Sequence, residues 1–168
     1  QIADAADEFG GAISASADAD SIVIESYCLS EFSGRMFELM AEVARAPSFP
    51  EAEVALRKKN MQEELNLQRG ESDFLASLIF RKRIYAGHPY GATSPTDASI
   101  ARLSRQRIVE AHRRLFTPDG SVLVLVGDIT AEKAKTELAA RFGDWKALPR
   151  PPDAPAVMQQ AWVRRVYL

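Results

Sequence analysis

The sequence predicts a two-layer α+β fold in which helices pack on an antiparallel or mixed sheet. Three observations lead to this class: two strand-like runs lie side by side near the start, several helical patterns follow one another, and a further apolar strand-like run comes only after them. Strict alternation of strands and helices is missing, which argues against a doubly wound parallel sheet. With 168 residues, 46% of them hydrophobic, the chain can bury the core of one domain.

The first part of the chain predicts a short helix and a hairpin. Apolar residues recur at helical spacing over residues 1–9, and Gly10-Gly11 supplies the stop that glycine favours at a helix C-terminus. Residues 12–19 alternate apolar with polar side chains, and a second, apolar-rich run spans 22–29, which indicates a hairpin or two neighbouring antiparallel strands. Cys28, in the second run, is expected to be a small buried hydrophobic residue.

The middle of the chain predicts three consecutive helices. The first has an apolar stripe with a period near 3.6, the second begins with proline and an acidic first turn, and the third ends in a basic run before Gly87. The predicted ranges are 33–46 with Ser33 as N-cap, 50–70 with Pro50 in the first turn, and 72–83 with Ser72 or Asp73 as N-cap.

The last third predicts short helices, a strand and another helix. Residues 92–97 form a loop, short helices follow, and residues 121–126, SVLVLV, have the composition of a buried strand. Thr130 is the expected N-cap of the next helix. We expect residues 1–148 to form one domain, incomplete at its N-terminus. Residues 149–168 are expected to form a proline-rich connector and the start of a further strand or domain.

Composition excludes several classes of function. Lys and Arg total 21 against 23 for Asp and Glu, so no general attraction to nucleic acid is expected. No run reaches the roughly 18 apolar residues of a membrane-spanning helix. Neither a GxGxxG or GxxxxGK[ST] loop nor a G-x-S-x-G elbow is present, which argues against nucleotide binding and serine hydrolysis.

A paired carboxylate in the long helix gives the most specific signal. Glu63-Glu64-Leu65 lies in a helical pattern that runs toward the turn His88-Pro-Tyr-Gly. Together with Gly10-Gly11, its two strands, and the strand ending in Val126-Gly127-Asp128, this order resembles the pitrilysin/insulinase family of zinc metallopeptidases over nearly the whole chain. No His-x-x-Glu-His occurs, so the resemblance is to a half-unit that lacks this segment.

The resemblance implies specific roles for several residues. Glu64 would be the third zinc ligand, while the other ligands and the general base would lie upstream of Gln1, which leaves no catalytic residue within this chain. Ser14, Ala15, Ser16 and Ala17 would form the edge strand to which an extended substrate adds. Active members usually carry a Glu seven residues before the ligand, where this chain has Arg57. A guanidinium there is expected to pair with Glu64 and to argue against an intact hydrolytic site.

Two functions follow from the resemblance. The first is part of a zinc metalloendopeptidase subunit that hydrolyses peptides. The alternative is a noncatalytic homologue that binds peptide or supports an active subunit. Implied partners are a peptide or unfolded protein, the rest of the same subunit, and a second homologous half or subunit. The residues assign no compartment, and the resemblance favours the bacterial periplasm or cell envelope.

Purely structural roles, without any ligand, are the alternatives for the individual polar residues. Glu63 and Glu64 could simply form a solvated helix face that pairs with neighbours such as Lys59. His88 is expected to pack within its loop, and His112 to be a partly exposed helix residue, because neither has a second histidine or cysteine at metal-ligand spacing.

Overall fold

The computed structural model describes residues 2–92 and 94–146 and is mostly helical, with one small antiparallel sheet. Its elements are α1 (Ile2–Asp7), β1 (Ala12–Ala17), β2 (Ile22–Tyr27), α2 (Ser33–Arg45), α3 (Glu51–Gln68), α4 (Ser72–Ile84), α5 (Asp97–Ala101), α6 (Arg105–Leu115) and α7 (Ala131–Phe142), with short 3-10 turns at Ser30–Phe32 and Pro89–Gly91. The described residues divide into two compact units. Unit 1 comprises residues 2–50 and 105–146, and unit 2 comprises residues 51–92 and 94–104. The predicted connector and terminal strand at 149–168 lie outside the described residues.

The hairpin in unit 1 confirms the predicted pair of antiparallel strands. β1 and β2 pair from Ala12 opposite Tyr27 to Ala17 opposite Ile22. The turn between them is set by Asp18, whose Oδ1 accepts hydrogen bonds from the backbone N–H groups of Asp20 at 2.8 Å and Ser21 at 2.7 Å. Those bonds favour the carboxylate and lower the pKa of Asp18. The turn therefore fixes the register of the sheet.

The junction between α1 and β1 requires glycine. Gly10 has φ +68°, a conformation that costs other residues energy. At Gly11 a Cβ atom would lie 2.8 Å from both the Tyr27 carbonyl oxygen and the Met36 Cε. The predicted glycine stop is confirmed, and it places the start of β1 directly against the core.

The core of unit 1 lies between α1, β1 and α2. Ala6, Phe9 and Met36 are buried together, and Cys28 is half-buried against them. Burial raises the pKa of the Cys28 thiol, in keeping with its predicted role as a small apolar residue. Helices packed on a sheet in this way confirm the predicted α+β class.

A network around Arg141 joins α7 to α2. The Arg141 guanidinium, mostly buried, contacts Glu38 on α2 at 2.9 Å and Glu137 one turn earlier on α7. In return Arg45 of α2 donates to the Arg141 carbonyl oxygen and pairs with Asp144 at 2.8 Å. Because Arg141 carries bonds to two helices, it positions the C-terminal helix of the unit.

The segment after α2 is held in a strained conformation. Phe49 has φ +44°, which is unfavourable for a residue with a side chain. Arg105 donates to the carbonyl oxygens of Phe49 at 2.8 Å and Ser48 at 3.0 Å. The Phe49 ring meets His112 edge-on at 5.5 Å, and His112 stacks on Phe116 at 4.3 Å. The half-buried His112 is therefore packed on both sides, more tightly than the sequence suggested.

His112 should make stability depend on pH. Burial lowers its pKa, although the backbone carbonyls of Val43 and Ala44 oppose this by favouring the charged ring. The unfolded chain then binds the proton more readily than the folded one, so stability should fall as pH drops below the ordinary imidazole value of about 6.5. We expect a lower melting temperature at about pH 5.5 than at about pH 7.5, and a smaller difference in His112→Phe. An unchanged difference in that variant would assign the effect to other groups.

The prediction of a buried strand at 121–126 is wrong. These residues form no strand, and Val122 and Val126 are 87% and 95% exposed. A groove of about 490 Å³ lies between the segment and β2, and among residues 2–92 and 94–146 no strand pairs with it. An apolar, β-branched sequence shows that its side chains favour a strand. A strand also needs a neighbouring strand with which its backbone can form hydrogen bonds.

Two of the three N-cap predictions are also wrong. Ser33 and Ser72 are the first residues of their helices, and the capping positions are Phe32 and Glu71, neither of which makes a side-chain capping bond. Thr130 is confirmed, because its side chain accepts from the backbone N–H of Lys133 at 3.2 Å. The capping position depends on where the backbone leaves the helical region, which composition alone does not determine.

Unit 2 is built from α3, α4 and α5. Leu65 of α3 and Ile100 of α5 are its buried apolar residues, at 3% and 2% exposure. Arg69, directly after α3, donates to both carboxylate oxygens of Asp97, at 3.1 and 2.6 Å, and Gln62 of α3 donates to the same group at 2.7 Å. The bond from Arg69 has the largest effect, followed by that from Gln62, and together they lower the pKa of Asp97 to about 2. Together they fasten the start of α5 to α3.

Candidate functional site

The candidate metal ligand lies on an exposed face of α3. Leu65 is buried, and this fixes the rotation of the helix so that Glu63 and Glu64 point away from the core of unit 2, with side chains 62% and 53% exposed. Glu63 lies 3.7 Å from Lys59 one turn earlier. The triplet Glu63-Glu64-Leu65 therefore has the helical setting that the sequence predicted, with an accessible carboxylate at Glu64.

Arg57 pairs directly with Glu64. Its Nη1 donates to the Glu64 Oε1 at 2.8 Å across seven residues, or two helical turns. The expected competition for the carboxylate is thus present in the structure. An exposed pair of this kind stabilises a protein by about 0–1 kcal/mol, so its effect is on the chemistry of Glu64 more than on folding. The guanidinium supplies the positive charge that a metal ion would otherwise supply.

The described residues do not fit a zinc site. A catalytic zinc takes three protein ligands and a water, with nitrogen, sulfur or carboxylate donors. Within residues 2–92 and 94–146 no group of three or more His, Cys, Asp or Glu side chains is close enough to hold a metal ion. Glu64 is a single donor, and its partner is a cation. No hydrolytic step can be derived from this donor set.

The candidate substrate strand has an open edge. β2 lies on one side of β1, and among the described residues no strand lies on the other. Ser14, Ala15, Ser16 and Ala17 are exposed, and their small side chains leave the backbone accessible. Unpaired N–H and C=O groups on such an edge are able to pair with an extended peptide. Glu64 belongs to unit 2 and this strand to unit 1, so each is described within its own unit.

Neither histidine contributes a metal site. His88 accepts a hydrogen bond from the backbone N–H of Tyr90 through Nδ1 at 3.2 Å, and its ring packs edge-on against the Tyr90 ring at 4.6 Å. These contacts match the predicted loop-packing role. His112 belongs to the aromatic cluster of unit 1 described above. A purely structural role is consistent with these contacts for both histidines.

Comparison with known proteins supports the resemblance to a peptidase family. The family described as "Peptidase M16 inactive domain" matches residues 102–168. A curated Bacillus subtilis protein, the uncharacterized zinc protease YmxG, is 22% identical over 148 residues, which cover 88% of this chain and 36% of that protein. The chain resembles peptidases of the M16, or pitrilysin, family. The resemblance found in the sequence is thereby confirmed.

Solved structures of M16 proteins share this fold. A peptidase M16 inactive domain from Pseudomonas fluorescens is 24% identical and superposes with a TM-score of 0.86 over 94% of this chain and 39% of its own. A protease from Helicobacter pylori is 20% identical with a TM-score of 0.77, covering 94% and 38%. The periplasmic protease PqqL from Escherichia coli is 16% identical with a TM-score of 0.71, covering 89% and 17%. The chain thus spans well under half the length of these M16 relatives.

Two findings bear on the cellular location of the protein. No helix among residues 2–92 and 94–146 has the length and apolar character needed to cross a bilayer. One structural relative is described as periplasmic. The expected bacterial envelope location remains a prediction.

Proposed function

We propose that this chain is a noncatalytic, peptide-holding part of a larger M16 protease. The observation that carries the proposal is the ion pair between Arg57 and Glu64, which places a protein cation on the carboxylate that the family would offer to zinc. The match to the M16 inactive domain supports the same assignment. Zinc would then be a cofactor of a homologous half or subunit, and this chain would bind the substrate.

The open edge of β1 supports the binding part of the proposal. Strand addition relies on backbone hydrogen bonds, which every peptide offers, so it gives affinity with little sequence selectivity. Ser14–Ala17 present this edge without bulky side chains. Extended peptides and unfolded polypeptides are therefore the proposed ligands. Folded domains, whose backbone groups are already paired, would be excluded.

A second candidate function is the catalytic half of a zinc endopeptidase. The triplet Glu63-Glu64-Leu65 on α3 and the curated relative described as a zinc protease favour it. In that case Glu64 would release Arg57 and bind zinc together with ligands outside this chain. The two candidates differ in whether metal binding depends on Glu64.

The proposed function can be tested by peptide binding and metal content together. The probe is an acetylated and amidated Lys-Thr-Val-Thr-Val-Thr-Lys peptide, compared with the same peptide N-methylated at alternate residues. Strand addition should weaken binding about tenfold or more on methylation, because the methyl groups remove donors and block pairing. Ser16→Lys on the edge should weaken binding of the unmodified peptide, whereas Ala19→Lys in the exposed turn should not.

Zinc is measured by mass spectrometry on the full protein that contains this chain, because the other ligands of the catalytic candidate lie outside it. We expect Glu64→Gln to leave the zinc content of that protein unchanged, and peptide binding to be equal with and without the substitution. Equal affinity for the methylated and unmodified peptides would contradict strand addition. Stoichiometric zinc that disappears in Glu64→Gln would instead support the catalytic candidate and reject the noncatalytic one.

A further inference from the structure

Unit 2 contains a pocket that the edge strand and the M16 family assignment do not involve. It has a volume of about 440 Å³ and lies between α3, α4 and the described residues at 85–92 and 94–96. Pockets of this size hold small ligands or single large side chains. Leu65 of α3 forms part of its buried base, and Phe74 and Leu78 of α4 are half-buried beside it.

The two helices present the same order of side chains to the pocket. On α4, Phe74, Leu78 and Lys82 are spaced four residues apart and therefore share one face. Leu65 of α3 and Arg69, in the turn directly after it, have the same spacing, and the Arg69 N–H donates to the Leu65 carbonyl oxygen at 3.1 Å. Each row thus runs from apolar side chains to a cation one turn further on. A ligand that follows such a row meets apolar surface first and positive charge next.

The charge lining this pocket is entirely positive. Its charged residues among those described are Arg69 and Lys82, and no carboxylate lines it. Arg69 is already bound to both oxygens of Asp97. Lys82 forms no ion pair with a carboxylate of the described residues. Lys82 is therefore the cation available to a negatively charged ligand.

The wall opposite the helices is a close-packed turn. The Tyr85 and Tyr90 rings meet edge-on at 5.6 Å. At Gly91 a Cβ atom would lie 2.9 Å from the Tyr85 carbonyl oxygen, so a side chain there would push the turn outward. His88 holds the Tyr90 backbone through its Nδ1. These contacts maintain the shape of the pocket before any ligand arrives, which lowers the cost of binding.

We propose that this pocket binds the C-terminal residue of a peptide that ends in a large apolar side chain. A C-terminal residue carries its side chain and its carboxylate on one Cα atom, so the side chain can pack on Phe74 and Leu78 while the carboxylate pairs with Lys82. The inference rests on the proposed function in one respect, that the ligand is a polypeptide. It adds a specific anchor for chain ends to the unselective edge of β1.

The experiment measures fluorescence anisotropy of a labelled Gly-Ser-Gly-Ser-Leu peptide, as free acid and as C-terminal amide. The free acid should bind about tenfold or more tightly than the amide, since only the acid can pair with Lys82. Lys82→Glu should remove this preference. Arg81→Glu makes the same charge change at the neighbouring position, which does not line the pocket, and should leave the preference intact. A peptide ending in Ser should bind more weakly than one ending in Leu.

Several results would overturn the inference. These are equal binding of acid and amide, equal effects of the two charge reversals, and competition by decanoate as strong as that by the peptide acid, which would indicate a fatty-acid site. The result is independent of the edge strand, because Ser16→Lys should not change binding of this short probe. If the probe fails while the methylation-sensitive peptide still binds, the pocket assignment falls and the proposed function stands. If methylation has no effect while Lys82 still selects the acid, the proposed strand addition falls and the pocket assignment stands.

Discussion

Replacement of Phe9 by alanine is expected to lower the free energy of unfolding of unit 1 by about 3–5 kcal/mol. Phe9 is only 6% exposed and is buried with Ala6 and Met36. Its ring lies 5.5 Å from that of Phe32, and the Arg35 guanidinium covers it at 5.2 Å. The truncation leaves a cavity directly behind the glycine turn that starts β1. Hydrogen exchange of the β1 and β2 amides under native conditions measures the loss.

The matched control is Phe80→Ala on α4. Its side chain is 63% exposed, so the same truncation creates no cavity and should change stability by about 0.5 kcal/mol or less. Because Phe9 supports the strand that holds peptide in the proposed function, Phe9→Ala should also weaken peptide binding, and Phe80→Ala should not. Equal losses of stability in the two variants would contradict the placement of the core at Phe9.

The helices could be predicted closely because their signals are local. An apolar stripe with a period near 3.6 predicted 33–46, and Pro50, an acidic first turn and Gly70 predicted 50–70. The structure has α2 at Ser33–Arg45 and α3 at Glu51–Gln68. The hairpin was predictable for the same reason, since alternation and a short polar turn lie within a few residues. Its strands are shorter than expected, ending at Ala17 and Tyr27, because the ladder stops where pairing stops.

Nonlocal packing decided the features that the sequence did not reveal. The run 121–126 is as apolar as a buried strand, but whether it forms a strand depends on which backbone lies beside it. The pocket near Lys82 requires α3, α4 and the described residues at 85–92 and 94–96 to meet, and these come from separate stretches of the chain. The basic run at 81–83 was correctly expected at a helix C-terminus, but position along the helix does not show that Lys82 faces a pocket while Arg81 does not.

The candidate site illustrates the same limit. The pairing of Arg57 with Glu64 could be expected, because two helical turns bring long side chains on one face within reach. The open edge of β1 could be expected only through the family resemblance, since no property of Ser14–Ala17 alone shows which strand lies at an edge. Both expectations concern one element each.

Replacement of Ile100 by alanine is expected to lower the free energy of unfolding of unit 2 by about 2–5 kcal/mol. Ile100 is 2% exposed, and its helix is fastened to α3 by the bond between Arg69 and Asp97. If the cavity loosens α5, the Asp97 pKa should rise from about 2 toward its ordinary 3.8, because the Arg69 bond weakens. Carbon-detected NMR of the Asp97 carboxyl measures that change. Ile79→Ala, at a 67% exposed position, should leave both stability and this pKa unchanged. Loss of stability in Ile100→Ala without movement of the pKa would show that the core and the Arg69 contact are independent.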